Sequence, residues 1–191
     1  EFAISVSNVT LTGDDRYAGS KTVAKAITNT YGYSGGYTIS YECPWITSIK
    51  VVGSDLTFTY TTNNTNATRT SSAITVTATD GTTCTFTVSQ EKASYTLSLG
   101  TLPQDWTKSG STYTAFWASG RSYEIPVNVE PSYFGEYTVS ENTDWITDAK
   151  VEDGKFKFTL ADNKSASDRT SGDITISAST GDAVTFKITQ P

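Results

Sequence analysis

The chain repeats itself. When residue n is set against residue n + 100, the two halves match from Tyr17/Trp117 to Gln90/Gln190 without a gap. The identities include Tyr33/Tyr133, Gly35/Gly135, Tyr37/Tyr137, Trp45/Trp145, Ile46/Ile146, Phe58/Phe158, Asn63/Asn163, Arg69/Arg169, Ile74/Ile174, Phe86/Phe186 and Gln90/Gln190. Nearer the start the spacing is 93, where Phe2, Ile4 and Val6 meet Tyr95, Leu97 and Leu99, so the second copy carries seven extra residues between positions 103 and 116. A period near one hundred is too long for a solenoid unit and suits a complete domain. The expected organisation is two copies of one domain, 1–92 and 93–191, meeting within a short "EKA" link that allows little reach.

Within each copy the apolar residues recur with a period of two, as strands require. "DLTFTYTTN" puts Leu56, Phe58 and Tyr60 on one face, and "KFKFTLADN" repeats this with Phe156, Phe158 and Leu160. Ile74, Val76 and Ala78 match Ile174, Ile176 and Ala178, while Cys84, Phe86 and Val88 match Val184, Phe186 and Ile188. Alternation that survives substitution in both copies marks the buried face. Turn signals such as "GYSGGY", "TDGTT", "VEDGK" and "STGDA" separate the runs. Some seven short strands per copy with no helical stretch predict an all-β protein: two tandem immunoglobulin-like antiparallel β-sandwiches.

Charge and composition exclude several functions. The net charge is -6, so the chain has no basic footprint for nucleic acid or for an anionic membrane surface, and no apolar run approaches membrane-spanning length. Histidine is absent, which removes the commonest general base and metal ligand and rules out Ser-His-Asp and Cys-His sites within this chain. Asp162 and Asp168 face Thr62 and Thr68 in the first copy, so the duplicated unit carries no inherited carboxylate pair or calcium site. The expectation is a non-enzyme that needs no metal or cofactor. Methionine is also absent, so Glu1 is expected to follow a cleaved or trimmed segment, either a signal peptide or part of a larger parent protein.

The ordered set "YTIS" or "YTVS", "WIT", a glycine turn, "FTY" or "FTL", an asparagine six residues before "RT", an "ITV" or "ITI" strand and a closing "TVSQ" or "KITQ" resembles the BACON domain (Bacteroidetes-associated carbohydrate-binding, often N-terminal), twice over. One departure is Tyr37 and Tyr137, where the family often has tryptophan. The resemblance implies a β-sandwich module of a secreted, periplasmic or surface-anchored bacterial protein. Its expected role is carbohydrate binding beside neighbouring domains of a larger parent. A spacer or a protein-interaction module is the alternative.

The motif residues Trp45, Asn63, Arg69 and Gln90, with Trp145, Asn163, Arg169 and Gln190, read more simply as structural than as sugar contacts. The tryptophans suit a core plug, the arginines' five donors suit loop carbonyls, and the asparagines suit a turn. The binding candidates lie elsewhere. Trp106 sits in the inserted "PQDWTKSGSTYTAFW" without a counterpart, in loop-like sequence, and is either a binding aromatic or a packing residue. Trp117 aligns with Tyr17 and so reads as more structural, though Tyr113 is placed to share a face with it. Tyr31, Tyr33, Tyr133 and Phe134 form a second aromatic edge. Cys43 and Cys84, whose counterparts are Thr143 and Val184, are either a disulfide gained as a pair or two unrelated thiols.

Overall fold

The computed structural model describes residues 2–191; Glu1, where the first expected domain begins, lies outside the described residues. The chain divides into two compact units, Glu1–Ala93 and Ser94–Pro191. Each is a pair of sheets facing one another across an apolar core, and the strand order is that of an immunoglobulin domain.

The order is plainest in unit two. Thr96–Leu99 pairs with Arg121–Glu130, which pairs with Lys155–Leu160, which pairs with Ile146–Glu152, all antiparallel. This is the ABED sheet of the immunoglobulin scheme. In the opposite sheet Tyr137–Ser140 pairs with Ile174–Ala178, which pairs with Ala183–Gln190. Thr112–Thr114 then joins Ala183–Gln190 in parallel. Unit one repeats the order in shorter pieces: Gly19–Val23, Asp55–Tyr60 and Ile46–Val52 in one layer, with Tyr37–Ser40, Ile74–Ala78 and Thr83–Phe86 in the other. Val9–Leu11 runs parallel to Val88–Gln90.

Period-two alternation explains the burial. Leu56, Phe58 and Tyr60 point into one core, while Phe156, Phe158 and Leu160 point into the other, with Ile74/Val76 and Ile174/Ile176 facing them from the second sheet. The rings meet across the gap. Phe58 lies 6.1 Å from Phe86, and Phe156 lies 5.5 Å from Phe186. Burying each such side chain contributes about 1.5–3 kcal/mol.

The gapless match over residues 17–26 is corrected by the strand registers. Gly19, Lys21 and Val23 stand opposite Tyr60, Phe58 and Leu56, whereas Arg121, Tyr123 and Ile125 stand opposite Leu160, Phe158 and Phe156. The local spacing is therefore 102, so Trp117 is not the counterpart of Tyr17. The cause is a break in unit one's strand at Ala24–Ala26. There Lys25 turns to φ +50 and its N–H donates to Asp55 Oδ1 at 2.7 Å, adding two residues that the continuous strand Arg121–Glu130 lacks.

Candidate functional site

The motif residues form one polar cluster, present in both units. Arg69 donates from Nε and Nη2 to Gln90 Oε1 at 2.9 and 2.6 Å, and from Nη2 to the Thr61 carbonyl at 2.7 Å. Gln90, fully buried, donates from Nε2 to the carbonyls of Asp15, Arg16 and Thr61. Asn63, also buried, donates to the carbonyls of Ala67 and Gln90 and accepts from Thr65, closing the loop after the strand Asp55–Tyr60. Trp45 is half-buried against the core, with the Arg69 guanidinium over its ring. Arg169, Gln190, Asn163 and Trp145 repeat these bonds. The Nε and Nη2 groups of both arginines and the side-chain amides of Gln90 and Gln190 are thus spent on the protein itself. The arginines bind the terminal glutamine and one strand-end carbonyl, where the loop's own carbonyls were expected.

Tyr33 and Tyr133 are also committed inward. The Tyr33 hydroxyl bonds Thr79 and the Gly36 carbonyl, and its ring packs 4.8 Å from Phe2. Tyr133 bonds Ser179 and the Glu136 carbonyl at 2.8 Å and packs 4.8 Å from Tyr95. Tyr31 and Phe134 stand out in solvent, 85% and 93% exposed. They are not equivalent residues: position 131 is proline and position 34 is serine.

Trp106 and Tyr113 leave the set of surface candidates. The inserted segment is not a loop but a hairpin, Thr107–Ser109 against Thr112–Thr114, turned by Gly110 at φ +59. Trp106 enters the core of its own unit, 8% exposed, 4.8 Å from Tyr123 and 6.1 Å from Phe158. Tyr113 sits opposite Ile188, as Val9 sits opposite Val88, and is buried against Phe186. The parallel pairing sets which residues of the hairpin face inward, so Tyr113 cannot share a face with Trp117.

What the chain presents instead is Phe116 with Trp117. They lie in the connection between the parallel strand Thr112–Thr114 and the strand Arg121–Glu130 of the opposite sheet, flanked by Ala115, whose N–H donates to Thr189 O, and by Ala118. Phe116 is 51% and Trp117 46% exposed, their rings 4.7 Å apart and nearly perpendicular. The Arg121 guanidinium lies 5.0 Å from the centre of the Trp117 ring. The backbone here is held firmly by the motif cluster: Ala118 O accepts from Asn163 N and Gln190 Nε2 at 2.8 Å each, and Gly120 N donates to Asp162 Oδ1 at 2.6 Å. Unit one makes the same anchors from Arg16 O and Ala18 N. There the connection is a 3₁₀ turn, Gly13–Arg16, carrying Asp14 and Asp15. Asp15 is tied to Lys21 at 2.5 Å and to the Tyr60 hydroxyl at 2.7 Å, while Arg16 pairs with Glu91 at 2.9 Å. One anchoring frame therefore displays ion pairs in unit one and an aromatic pair in unit two. Phe116 escaped the sequence reading because n + 100 set it beside Arg16.

A cleft of about 350 Å³ is lined by Gly135, Glu136, Tyr137, Val151, Asp153 and Gly154, with Asp153 held by Lys157 at 3.3 Å. Among the described residues no three His, Cys, Asp or Glu side chains gather as metal ligands, and no helix is long and apolar enough to cross a membrane. Cys43 and Cys84 are separate, partly buried thiols, and burial pushes the Cys84 thiol pKa up.

No family model and no curated protein matches the chain. Solved structures do. Titin domains z1z2 in complex with telethonin are 10% identical with a TM-score of 0.43, covering all of this chain and 94% of that one. An I-band fragment from titin is 9% identical (TM-score 0.37), and an endo-fucoidan hydrolase from glycoside hydrolase family 107 is 10% identical (TM-score 0.35). This chain covers 100% and 97% of itself in those matches but spans only 64% of the titin fragment and 27% of the hydrolase.

Proposed function

We propose that the chain is a pair of BACON-like modules of a secreted, periplasmic or surface-held bacterial protein, non-catalytic, whose second unit binds glycan through Phe116 and Trp117. The observation that carries this reading is the exposure of two adjacent aromatic rings on a connection whose backbone is held at Ala118 and Gly120 by three partners, Asn163, Gln190 and Asp162. Scattered exposed apolar residues are ordinary on a protein surface; a rigidly mounted pair is not. A flat ring with an apolar face and an N–H donor suits the apolar face and hydroxyl rim of a sugar. Contacts through one such site are weak, about 1 mM or roughly 4 kcal/mol, and gain effect when a parent protein repeats or tethers them.

Unit one favours the second reading for itself. Its equivalent connection carries the pairs Lys21–Asp15 and Arg16–Glu91 and one half-buried ring, Tyr17, in place of an exposed aromatic pair, and this suits a spacer or protein-contact module that positions its neighbours. Affinity electrophoresis through plant polysaccharides and mucin glycans, with wild type beside Trp117→Ala, tests the glycan reading. Retardation of wild type that the variant loses supports it. Free migration of wild type through every glycan leaves the spacer reading for both units.

A further inference from the structure

The two copies differ at this connection in charge as well as in aromaticity. In unit one the turn presents Asp14 and Asp15, and the strand that follows opens with Gly19 opposite Tyr60. In unit two the rings of Phe116 and Trp117 replace those carboxylates, and the strand opens with Arg121 opposite Leu160. Glu91, which neutralises Arg16 in unit one, gives way to Pro191. Arg121 is exposed, and its guanidinium contact is the Trp117 ring; no carboxylate pairs with it among the described residues. Asp162, an acid of the same frame, is turned to the Gly120 amide. A guanidinium is a planar fork that matches carboxylate or sulfate oxygens two at a time, and the ring beneath it holds the fork in place.

We propose that the Phe116–Trp117–Arg121 cluster selects an anionic glycan, one bearing carboxylate or sulfate groups, over the neutral form of the same polymer. This rests on the glycan reading above. The rings stack on the sugar while Arg121 takes the anion. The net charge of -6 repels polyanions at long range, so retention of one needs a local cationic contact, which this cluster supplies through Arg121.

The test uses the full chain on four immobilised polymers: polygalacturonate, its carboxyl-reduced form, dextran sulfate and dextran. Wild type, Arg121→Gln, Arg121→Lys and Trp117→Ala are compared after thermal melts establish that each is folded. The expected result is retention on a charged polymer at least about tenfold stronger than on its neutral partner, lost in Arg121→Gln, partly restored in Arg121→Lys, and weakened by added salt. Retention on polygalacturonate assigns a carboxylate, and retention on dextran sulfate alone assigns a sulfate; either supports the inference. Equal retention on charged and neutral forms, abolished by Trp117→Ala but untouched by Arg121→Gln, overturns the inference and leaves the glycan reading standing. Absence of retention on all four, together with free migration through the wider glycan panel, removes both.

Discussion

The guanidinium of Arg69 lies 4.5 Å from the centre of the Trp45 ring, and Arg169 stands at the same 4.5 Å from Trp145. Each arginine is also clamped by a buried glutamine from the last strand of its unit. Tryptophan, arginine and glutamine, far apart in sequence, thus join the two sheets at one end and fix the connection that carries Asp14 and Asp15 in one unit and Phe116 and Trp117 in the other. The most repeated residues of the chain support this connection; the least repeated ones form the proposed site.

Gln90→Ala leaves Arg69 and the carbonyls of Asp15, Arg16 and Thr61 short of a partner, and Gln190→Ala leaves Arg169 and the carbonyls of Ala118 and Ala161 short of one. Each is expected to lower stability by about 1–3 kcal/mol, read as a shift of the denaturant midpoint. Gln190→Ala is expected in addition to weaken glycan retention, because Ala118 O loses its side-chain donor. Gln90→Ala is expected to leave retention unchanged.

At Gly35 an added Cβ falls inside the Tyr33 ring, and at Gly135 inside the Tyr133 ring. Gly35→Ala must expel the phenol from its bonds with Thr79, at an expected cost of about 1–3 kcal/mol. In a Tyr33→Leu background the same glycine substitution is expected to cost much less. A double-mutant cycle measures the difference, and additive effects would contradict this explanation of the glycine.

Trp106→Ala removes a large side chain from the core of unit two, with an expected loss of about 3–5 kcal/mol. Trp106→Phe is expected to be milder, because the indole N–H has no hydrogen-bond partner among the described residues and its removal strands nothing. Glycan retention by folded Trp106→Phe is expected to match wild type.

Burial of Asp15 opposes its charge, but hydrogen bonds from Lys21 and Tyr60, with the Lys21 charge, outweigh it and hold the carboxyl below its ordinary value of 3.8. A carboxyl whose pKa is depressed on folding stabilises the fold above its unfolded value and loses that contribution as pH falls through the folded one. Asp15→Asn is therefore expected to destabilise by roughly 1 kcal/mol at neutral pH. The gap to wild type should close below about pH 3.8, as seen in melts from pH 7 to pH 2. The partner hydroxyl of Tyr60 is shifted upward, by burial first and by Asp15 second, so its contribution persists at neutral pH and fades only in strong alkali.

The sandwich was legible because both copies keep the same inward face: Phe58 and Phe158, Ile74 and Ile174, and Phe86 and Phe186 obey one period of two. The roles of Trp106, Tyr113 and Trp117 were not legible, for a physical reason. Likeness of side chains aligned Trp117 with Tyr17, while backbone register, shifted two residues by the break at Lys25, sets Ser119 there instead. A hairpin inserted before a parallel strand has no counterpart from which to read which residues turn inward. Comparing the copies for charged positions turned aromatic, once the register is known, brings out Phe116.

The most direct measurement is affinity electrophoresis on a retained glycan with Trp117→Ala, Tyr31→Ala and Phe134→Ala run beside wild type. All three rings are exposed, but only Trp117 belongs to the anchored pair. Loss of retardation in Trp117→Ala, with Tyr31→Ala and Phe134→Ala migrating as wild type, is the predicted result. Retardation that survives Trp117→Ala, or that is lost in Tyr31→Ala or Phe134→Ala instead, contradicts the assignment of the site to Phe116 and Trp117.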